Sequence, residues 1–301
     1  MKREIVIAHL SDLHLGPIGR VPAHYGNLKR VLGAVNWHQT RRRLHRREVA
    51  EKLLLRAQEI GVDHVVISGD LCNLGLPQEH MAALKFLESA GPPDSTTVVP
   101  GNHDIYSSIG EDEGVGRWTA FMQSCKRGRG FLEDGARRMF PFVRVLGDGQ
   151  LGAAIIGLNS AIETPPFRAH GRLGKSQLEG LQAVLRRTRE AGLARVVVLH
   201  HPPLVELGKR HKELLDAAEL ENVLDREGAE LVIYGHNHRI DMRSRPTNGG
   251  VTHVVGIGSS SAFKARGIEP VGSMMIYRIR NGGACFSVGH EIVTYTDPRI
   301  G

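Results

Sequence analysis

Five short apolar runs in this chain break off into clusters of histidine, aspartate and asparagine, and that repeated punctuation limits the fold more than any other feature. They read EIVIAHLSDLH (4–14), DHVVISGD (63–70), STTVVPGNHD (95–104), ARVVVLHHPP (194–203) and AELVIYGHNH (229–238). Continuous runs of Val, Ile and Leu bounded by Gly, Pro and Asp predict strands buried on both faces. Between them the spacing predicts helices. REVAEKLLLRAQEIG (47–61) stops at Gly61, and PQEHMAALKFLESAG (77–91) is opened by Pro77 and closed by Gly91. Further strands are expected over 151–160 and 251–260, with helices over 173–192 and near 213–226. The tail segments MMIYRIR and CFSVGHEIV alternate as antiparallel strands do. The pattern is that of an α/β protein whose sheet is covered on both sides, and the strand-rich second half predicts a second sheet packed on the first. No repeat, low-complexity tract or linker interrupts residues 1–301, so one domain is expected.

In open α/β sheets the carboxyl ends of the strands line the ligand crevice. The clusters Asp12-x-His14, Gly69-Asp70, Gly101-Asn102-His103-Asp104, His200-His201-Pro202 and Gly235-His236-x-His238 can therefore meet in one place. Singly they are weak. Gly-Asp after a strand is usually a turn, and His9, His64 and His253 read as packed or surface residues. Two imidazoles two residues apart, and three polar side chains crowded behind Gly101, are poorly explained by packing. Together the clusters suit two divalent ions, bridged by one carboxylate and surrounded by neutral imidazoles. Mixed nitrogen and oxygen ligands favour Mn, Fe, Zn or Co. Such a pair, about 3.5–4 Å apart, binds a bridging hydroxide, holds a phosphoryl oxygen and stabilises an in-line displacement.

The ordered set resembles the calcineurin-like metallophosphoesterases, whose pattern is DxH, GDxx, GNH(D/E), H and GHxH, from residue 4 to about 260. The resemblance implies a four-layer αββα sandwich, two mixed β-sheets flanked by helices, with a dinuclear site at the sheet edge. It implies that Asp12, His14, Asp70 and His238 hold one ion. Asp70, Asn102, His200 and His236 would hold the other, with Asp70 bridging. His103 would face the substrate and stabilise or protonate the leaving oxygen, and Asp104 would orient His103 by a hydrogen bond. The family places the ligand of LHHPP at His200, which leaves His201 as a substrate-side or supporting residue. Purple acid phosphatases carry a tyrosine ligand where this chain has Asn73, which argues against a purple iron enzyme.

The net charge of +7 is local. Between Arg20 and Arg56 ten Lys/Arg stand against Glu48 and Glu51, and elsewhere 29 basic residues face 30 acidic ones. A general nucleic-acid-coating surface is therefore excluded. The basic segment is an insert at about 17–47 that repeats Leu28, Val31/Leu32 and Val35 at helical spacing before Trp37 and Arg41–Arg43. Three uses are open to it: a surface helix with a solvated basic face, a lid whose Arg41, Arg42 and Arg43 grip phosphate, or a peripheral contact with the inner face of a membrane. No apolar run approaches the roughly 18–20 residues of a membrane span. The first apolar stretch ends in Asp12 and His14 rather than in a cleavage site. Three cysteines without CxxC spacing read as free thiols. A cytoplasmic protein is expected.

The HHPP element resembles bacterial class III cyclic nucleotide phosphodiesterases, which implies 3′,5′- or 2′,3′-cyclic nucleotides or a broader range of phosphodiesters as substrates. The basic insert keeps a second option: a lipid-linked nucleotide, as for the UDP-diacylglucosamine pyrophosphatases. SDLHLG and GNHD also echo repair exonucleases, which rank last because no DNA-capping domain is expected after residue 260. Protein-binding scaffolds of this fold have degraded metal positions, whereas here every one is filled.

Overall fold

The apolar runs form the central strands of two sheets in a computed structural model that describes residues 4–133, 139–148, 151–283 and 285–295. In chain order the strands are β1 (Ile5–Leu10), β2 (His64–Ile67), β3 (Thr96–Val98), β4 (Phe142–Asp148), β5 (Leu151–Gly157), β6 (Ala194–Val198), β7 (Leu231–Tyr234), β8 (Asp241–Thr247), β9 (Gly250–Gly256), β10 (Ser273–Asn281) and β11 (Phe286–Thr294). The helices are α1 (Leu28–Asn36), α2 (Arg42–Leu44), α3 (Arg47–Ile60), α4 (Pro77–Ala90), α5 (Lys126–Arg129), α6 (Lys175–Glu190) and α7 (Ala217–Glu227). One sheet has the order β11-β10-β1-β2-β3 and the other β4-β5-β6-β7-β9-β8.

Alternation of side chains along the strands sorts the layers. Ile155, Val196, Val198, Leu231 and Ile233 of the second sheet enter a core shared with β1 and β2. Their neighbours Ile156, Val197 and Val232 turn away, onto Leu181 and Leu185 of α6 and Leu220 and Leu224 of α7. On the far side of the first sheet, Leu53 and Leu54 of α3 and Phe86 and Leu87 of α4 close the same core. Helices, sheet, sheet and helices give the expected αββα sandwich. Gly61, at φ 73°, caps α3 in the left-handed conformation and ends that helix where the sequence predicts.

Two features differ from expectation. The edge strands β4 and β8 were not anticipated; β8, DMRSRPT, carries mostly exposed polar side chains and no apolar run. The tail strands return to the first sheet, where β10 pairs antiparallel with β1 (Ile7 opposite Tyr277).

The insert folds as α1, a π-turn over Trp37–Arg41, and α2. Its polarity is inverted. Arg30 is buried and donates to the carbonyls of Leu74 (3.2 Å), Tyr25 (3.0 Å), Gly75 (3.2 Å) and Ser107 (3.2 Å). Leu28 (67% exposed), Val31 (54%) and Val35 (48%) face outward. A simple helix with a solvated basic face is thereby excluded at Arg30. The insert's end is pinned by Arg46 N–H donating to Ser261 O (2.8 Å) and Phe263 N–H donating to Leu44 O (2.7 Å).

Candidate metal centre

Each cluster begins where a parallel strand stops and the chain must turn. Among the described residues six non-glycine positions have positive φ, and five of them are Asp12 (52°), His14 (42°), Asp70 (57°), His236 (66°) and His238 (50°). A left-handed backbone costs energy for any residue with a Cβ, and such strain concentrates at functional sites. Here it aims five side chains at one point. The loops approach closely only because of glycine. A Cβ on Gly101 would collide with Asp70 Oδ1, and one on Gly235 with Ser11 Oγ.

Hydrogen bonds fix which atoms face the centre. Asp12 Oδ2 accepts from Ser11 Oγ (2.7 Å) and His236 N–H (2.9 Å), and Asp70 Oδ1 accepts from His103 N–H (2.8 Å). Asp12 Oδ1 and Asp70 Oδ2 are left over. His14 donates through Nδ1 to Cys72 O (3.1 Å), His200 to Ser68 O (2.7 Å) and His238 to Glu269 Oε1 (2.9 Å), which directs each Nε2 inward.

These atoms gather in two sets. In the first, His238 Nε2 lies 3.1 Å from Asp12 Oδ1 and 3.3 Å from His14 Nε2, itself 3.9 Å from Asp70 Oδ2. In the second, His200 Nε2 lies 3.3 Å from Asn102 Oδ1, 3.3 Å from His236 Nδ1 and 3.4 Å from Asp70 Oδ2. Asp70 Oδ2 belongs to both. Ligand bonds of about 2.0–2.2 Å place adjacent donors about 3–3.5 Å apart and opposite ones about 4–4.4 Å apart, so these spacings fit shared cations. Apart from His238 Nε2 at 3.1 Å, buried Asp12 Oδ1 has no hydrogen-bond partner among the described residues, as suits a ligand atom facing a cation site. The donor set therefore fits two cations. Burial alone would depress His200 and His238, but the carboxylates of Asp70 and Asp12 raise each to about 9. A cation entering the centre displaces those protons.

His103 donates through Nδ1 to Asn73 O (2.6 Å), and its Nε2 accepts from Arg41 Nη2 (2.9 Å). Burial first and the Arg41 charge second push its pKa down to about 3. Asp104 does not orient His103, contrary to the sequence expectation. The two adjacent side chains diverge, and the Asp104 carboxylate accepts from the backbone N–H groups of Asp70, Cys72 and Gly101, each at 2.9 Å. Asp104 ties the two ligand-bearing loops together. Burial, then the Asp70 charge, raises its carboxyl to about 7 against those three bonds.

His201 is buried, bonded through Nδ1 to Ser160 Oγ (2.8 Å) and packed on the His236 ring at 4.4 Å between centroids. It does not line the cavity above the centre, so the structure places it behind His236 and not on the substrate side. Arg42 and Arg43 are exposed and likewise outside that lining, because successive helical residues turn by about 100° and only Arg41 points inward.

The cavity holds about 310 Å³ and is lined by Arg41, Lys29, Tyr106, Phe167, Lys212 and Leu32 among others. Lys29 donates to Tyr106 O (2.7 Å), and burial pulls its pKa down to about 8. Phe167 is 85% exposed and is the sixth residue with positive φ (64°). Sequence reasoning missed Lys29, Phe167 and His45, whose ring packs against those of His14 (4.7 Å) and His238 (5.7 Å). None belongs to a motif. The positive φ of Phe167 has no sequence signal, and His45 is hidden in an arginine run.

A sequence profile described as calcineurin-like phosphoesterase matches residues 5–239. None of the curated protein sequences compared matches the chain. Among solved structures, a dimetal phosphatase from Danio rerio is similar at 12% identity with a TM-score of 0.58, covering 98% of this chain and 100% of its own. A 5′-nucleotidase precursor from Thermus thermophilus is similar at 16% identity and TM-score 0.51, covering 97% of this chain and 54% of its own. A purple acid phosphatase from yellow lupin (Lupinus luteus) seeds follows at 14% identity and TM-score 0.52, covering 92% and 50%. This chain thus spans about half the length of the last two, and at these identities the likeness is one of fold.

Proposed function

The chain belongs to the calcineurin-like phosphoesterases, metal-dependent phosphoester hydrolases, and on that premise we propose a phosphodiesterase with a dinuclear centre. Asp12, His14, Asp70 and His238 hold one ion in this reading, and Asp70, Asn102, His200 and His236 the other. The observation that carries it is the convergence of both donor sets on Asp70 Oδ2. Bound there, two divalent ions supply the positive charge that in-line displacement at phosphorus requires; Mn and Fe are the first candidates.

The chain's own residues do the rest. The Arg41 guanidinium, at the cavity wall and held against His103, donates a remaining N–H to a phosphoryl oxygen. His103, held as the Nδ1–H tautomer by Asn73 O, keeps Arg41 in place through Nε2 and stands where a leaving oxygen departs. Lys29 and Lys212 add positive charge around a single phosphodiester anion. Tyr106, Phe167 and Leu32 offer apolar surface to the organic groups on either side of phosphorus. A small phosphodiester or nucleotide fits this lining, cyclic nucleotides included. The test is hydrolysis of 3′,5′- and 2′,3′-cyclic AMP by the Mn²⁺-loaded protein. Turnover that disappears in His236→Ala supports the reading. Absence of turnover, while simpler diesters are cleaved, removes cyclic nucleotides.

One observation favours a second reading. Leu28, Val31 and Val35 of α1 are exposed, Leu32 of the same stripe lines the cavity, and Arg42, Arg43 and Arg46 stand exposed just beyond. An apolar stripe flanked by cations suits an anionic membrane surface, with the cavity opening beside it. In this reading the protein is a pyrophosphatase acting on a lipid-linked nucleotide such as UDP-diacylglucosamine. Among the described residues no helix is long and apolar enough to cross a membrane, so the contact would be peripheral.

A further inference from the structure

His45 repeats, from the insert, the arrangement that orients the other inward-facing imidazoles. It is buried, and a ring nitrogen of His45 lies within 4.8 Å of the ring nitrogens that His14 and His238 offer. Its Nδ1 lies 3.1 Å from Ser259 Oγ and 3.0 Å from Ser261 Oγ. Ser259 spends its own hydroxyl hydrogen on the Asp12 carbonyl at 2.6 Å. Ser261 likewise turns its hydroxyl toward the Asp12 carbonyl, at 3.4 Å, so with both hydroxyl hydrogens spent there the His45 Nδ1–H donates to the serine oxygens and the lone pair is left on Nε2. That is the tautomer of His14, His200 and His238, each of which donates through Nδ1 to a protein oxygen.

Packing alone does not account for this. A ring placed only to fill space would have no reason to share its hydroxyl partner with the backbone of Asp12. The chain on either side is also fixed: His45 forms an isolated antiparallel bridge with Ala262, and Arg46 N–H donates to Ser261 O at 2.8 Å. The ring is thus anchored to the same Ser259–Ser261 segment that supports Asp12.

Resting on the dinuclear reading, we propose that His45 is a further protein ligand of the ion held by Asp12, His14, Asp70 and His238. The insert is then part of the metal centre. Its first helix walls the cavity, and its last residues reach the cation, so that metal binding and the placement of Arg41 are linked through four residues of chain.

The test is metal binding, read without turnover. The wild-type chain and His45→Ala, His45→Phe and exposed-control His38→Ala variants are stripped with chelator, titrated with Mn²⁺ and counted by elemental analysis. The expected result is two ions per chain in wild type and His38→Ala, with one of the two weakened at least about tenfold in both His45 variants. His45→Phe keeps an aromatic ring at the site and His45→Ala removes it, so a loss shared by both is the loss of a nitrogen. Wild-type affinity at both positions in His45→Phe overturns the proposal. If the His45 variants do not fold, the Co²⁺-loaded wild type carries the same test. Five hyperfine-shifted imidazole N–H signals are expected from His14, His45, His200, His236 and His238, and four would overturn the proposal. A wild-type chain that binds no metal would instead sink the dinuclear reading itself.

Discussion

Arg41 Nη2 lies 2.9 Å from His103 Nε2, with the other face of that imidazole closed by Asn73 O at 2.6 Å from Nδ1. Both His103 nitrogens are engaged before any substrate arrives, which supports Arg41 as the cation proposed to meet the phosphoryl group. Arg41→Ala should lower kcat/KM for a diester by about 10²–10³, as removal of one positioned charge donor does. Arg41→Lys should recover little, since an ammonium cannot reproduce the planar fork. Arg42→Ala and Arg43→Ala, which alter exposed side chains, should stay within about twofold; losses equal to that of Arg41→Ala would show that the run acts only as bulk charge.

Asp104 makes a different prediction. Its carboxylate takes three backbone N–H bonds, and in Asp104→Asn one oxygen becomes an NH₂ group facing donors. The cost should be about 2–4 kcal/mol of stability, together with weaker metal binding, because the Asp70 and Asn102 loops lose their tie. Chemical denaturation of the metal-free proteins checks it. An unchanged midpoint, with activity lost only through an altered pH profile, would return Asp104 to the role of a group acting on His103.

Much of this centre was legible because its parts lie at strand ends. β2 and β7 are buried on both faces, so they read as unbroken apolar runs and leave Asp70 and His236 conspicuous where the runs stop. The inverted polarity of α1 was not legible. Period fixes a stripe of Leu28, Val31, Leu32 and Val35, but which side meets the protein depends on carbonyls at 74, 75 and 107 that satisfy Arg30. His45 and the backbone partners of Asp104 were hidden for the same reason: their contacts are distant in sequence and follow no period.

The outward stripe of α1 should bind anionic vesicles. Burial of half-exposed Val31 and Val35 contributes about 1 kcal/mol each. Val31→Glu/Val35→Glu should therefore reduce cosedimentation with phosphatidylglycerol vesicles by more than about tenfold, while hydrolysis of a soluble diester is unchanged. Equal sedimentation of the two proteins, or none by the wild type, would remove the membrane reading.

Stability should fall in mild acid. Burial, then Arg144 for His64 and Arg117 for His80, holds both histidines at about 3 against an ordinary 6.5. Between those values the unfolded chain binds more protons than the folded one, so stability is full above pH 6.5 and declines as pH drops toward 3. Each group contributes about 1.4 kcal/mol per pH unit at most. Unfolding midpoints of the metal-free protein at pH 7 and pH 5 should converge in His64→Gln/His80→Gln relative to wild type. An identical slope in both would contradict the assignment.

Asp70 is proposed to hold together the two cations of a diesterase. The most direct test is hydrolysis of bis(p-nitrophenyl) phosphate and p-nitrophenyl phosphate by the Mn²⁺-loaded protein, beside Asn102→Ala and a chelator-treated sample. Faster cleavage of the diester is expected, with dependence on more than one ion per chain and loss by at least about 10² in the variant. A preference for the monoester, or diester cleavage that survives both chelation and Asn102→Ala, would contradict the proposal.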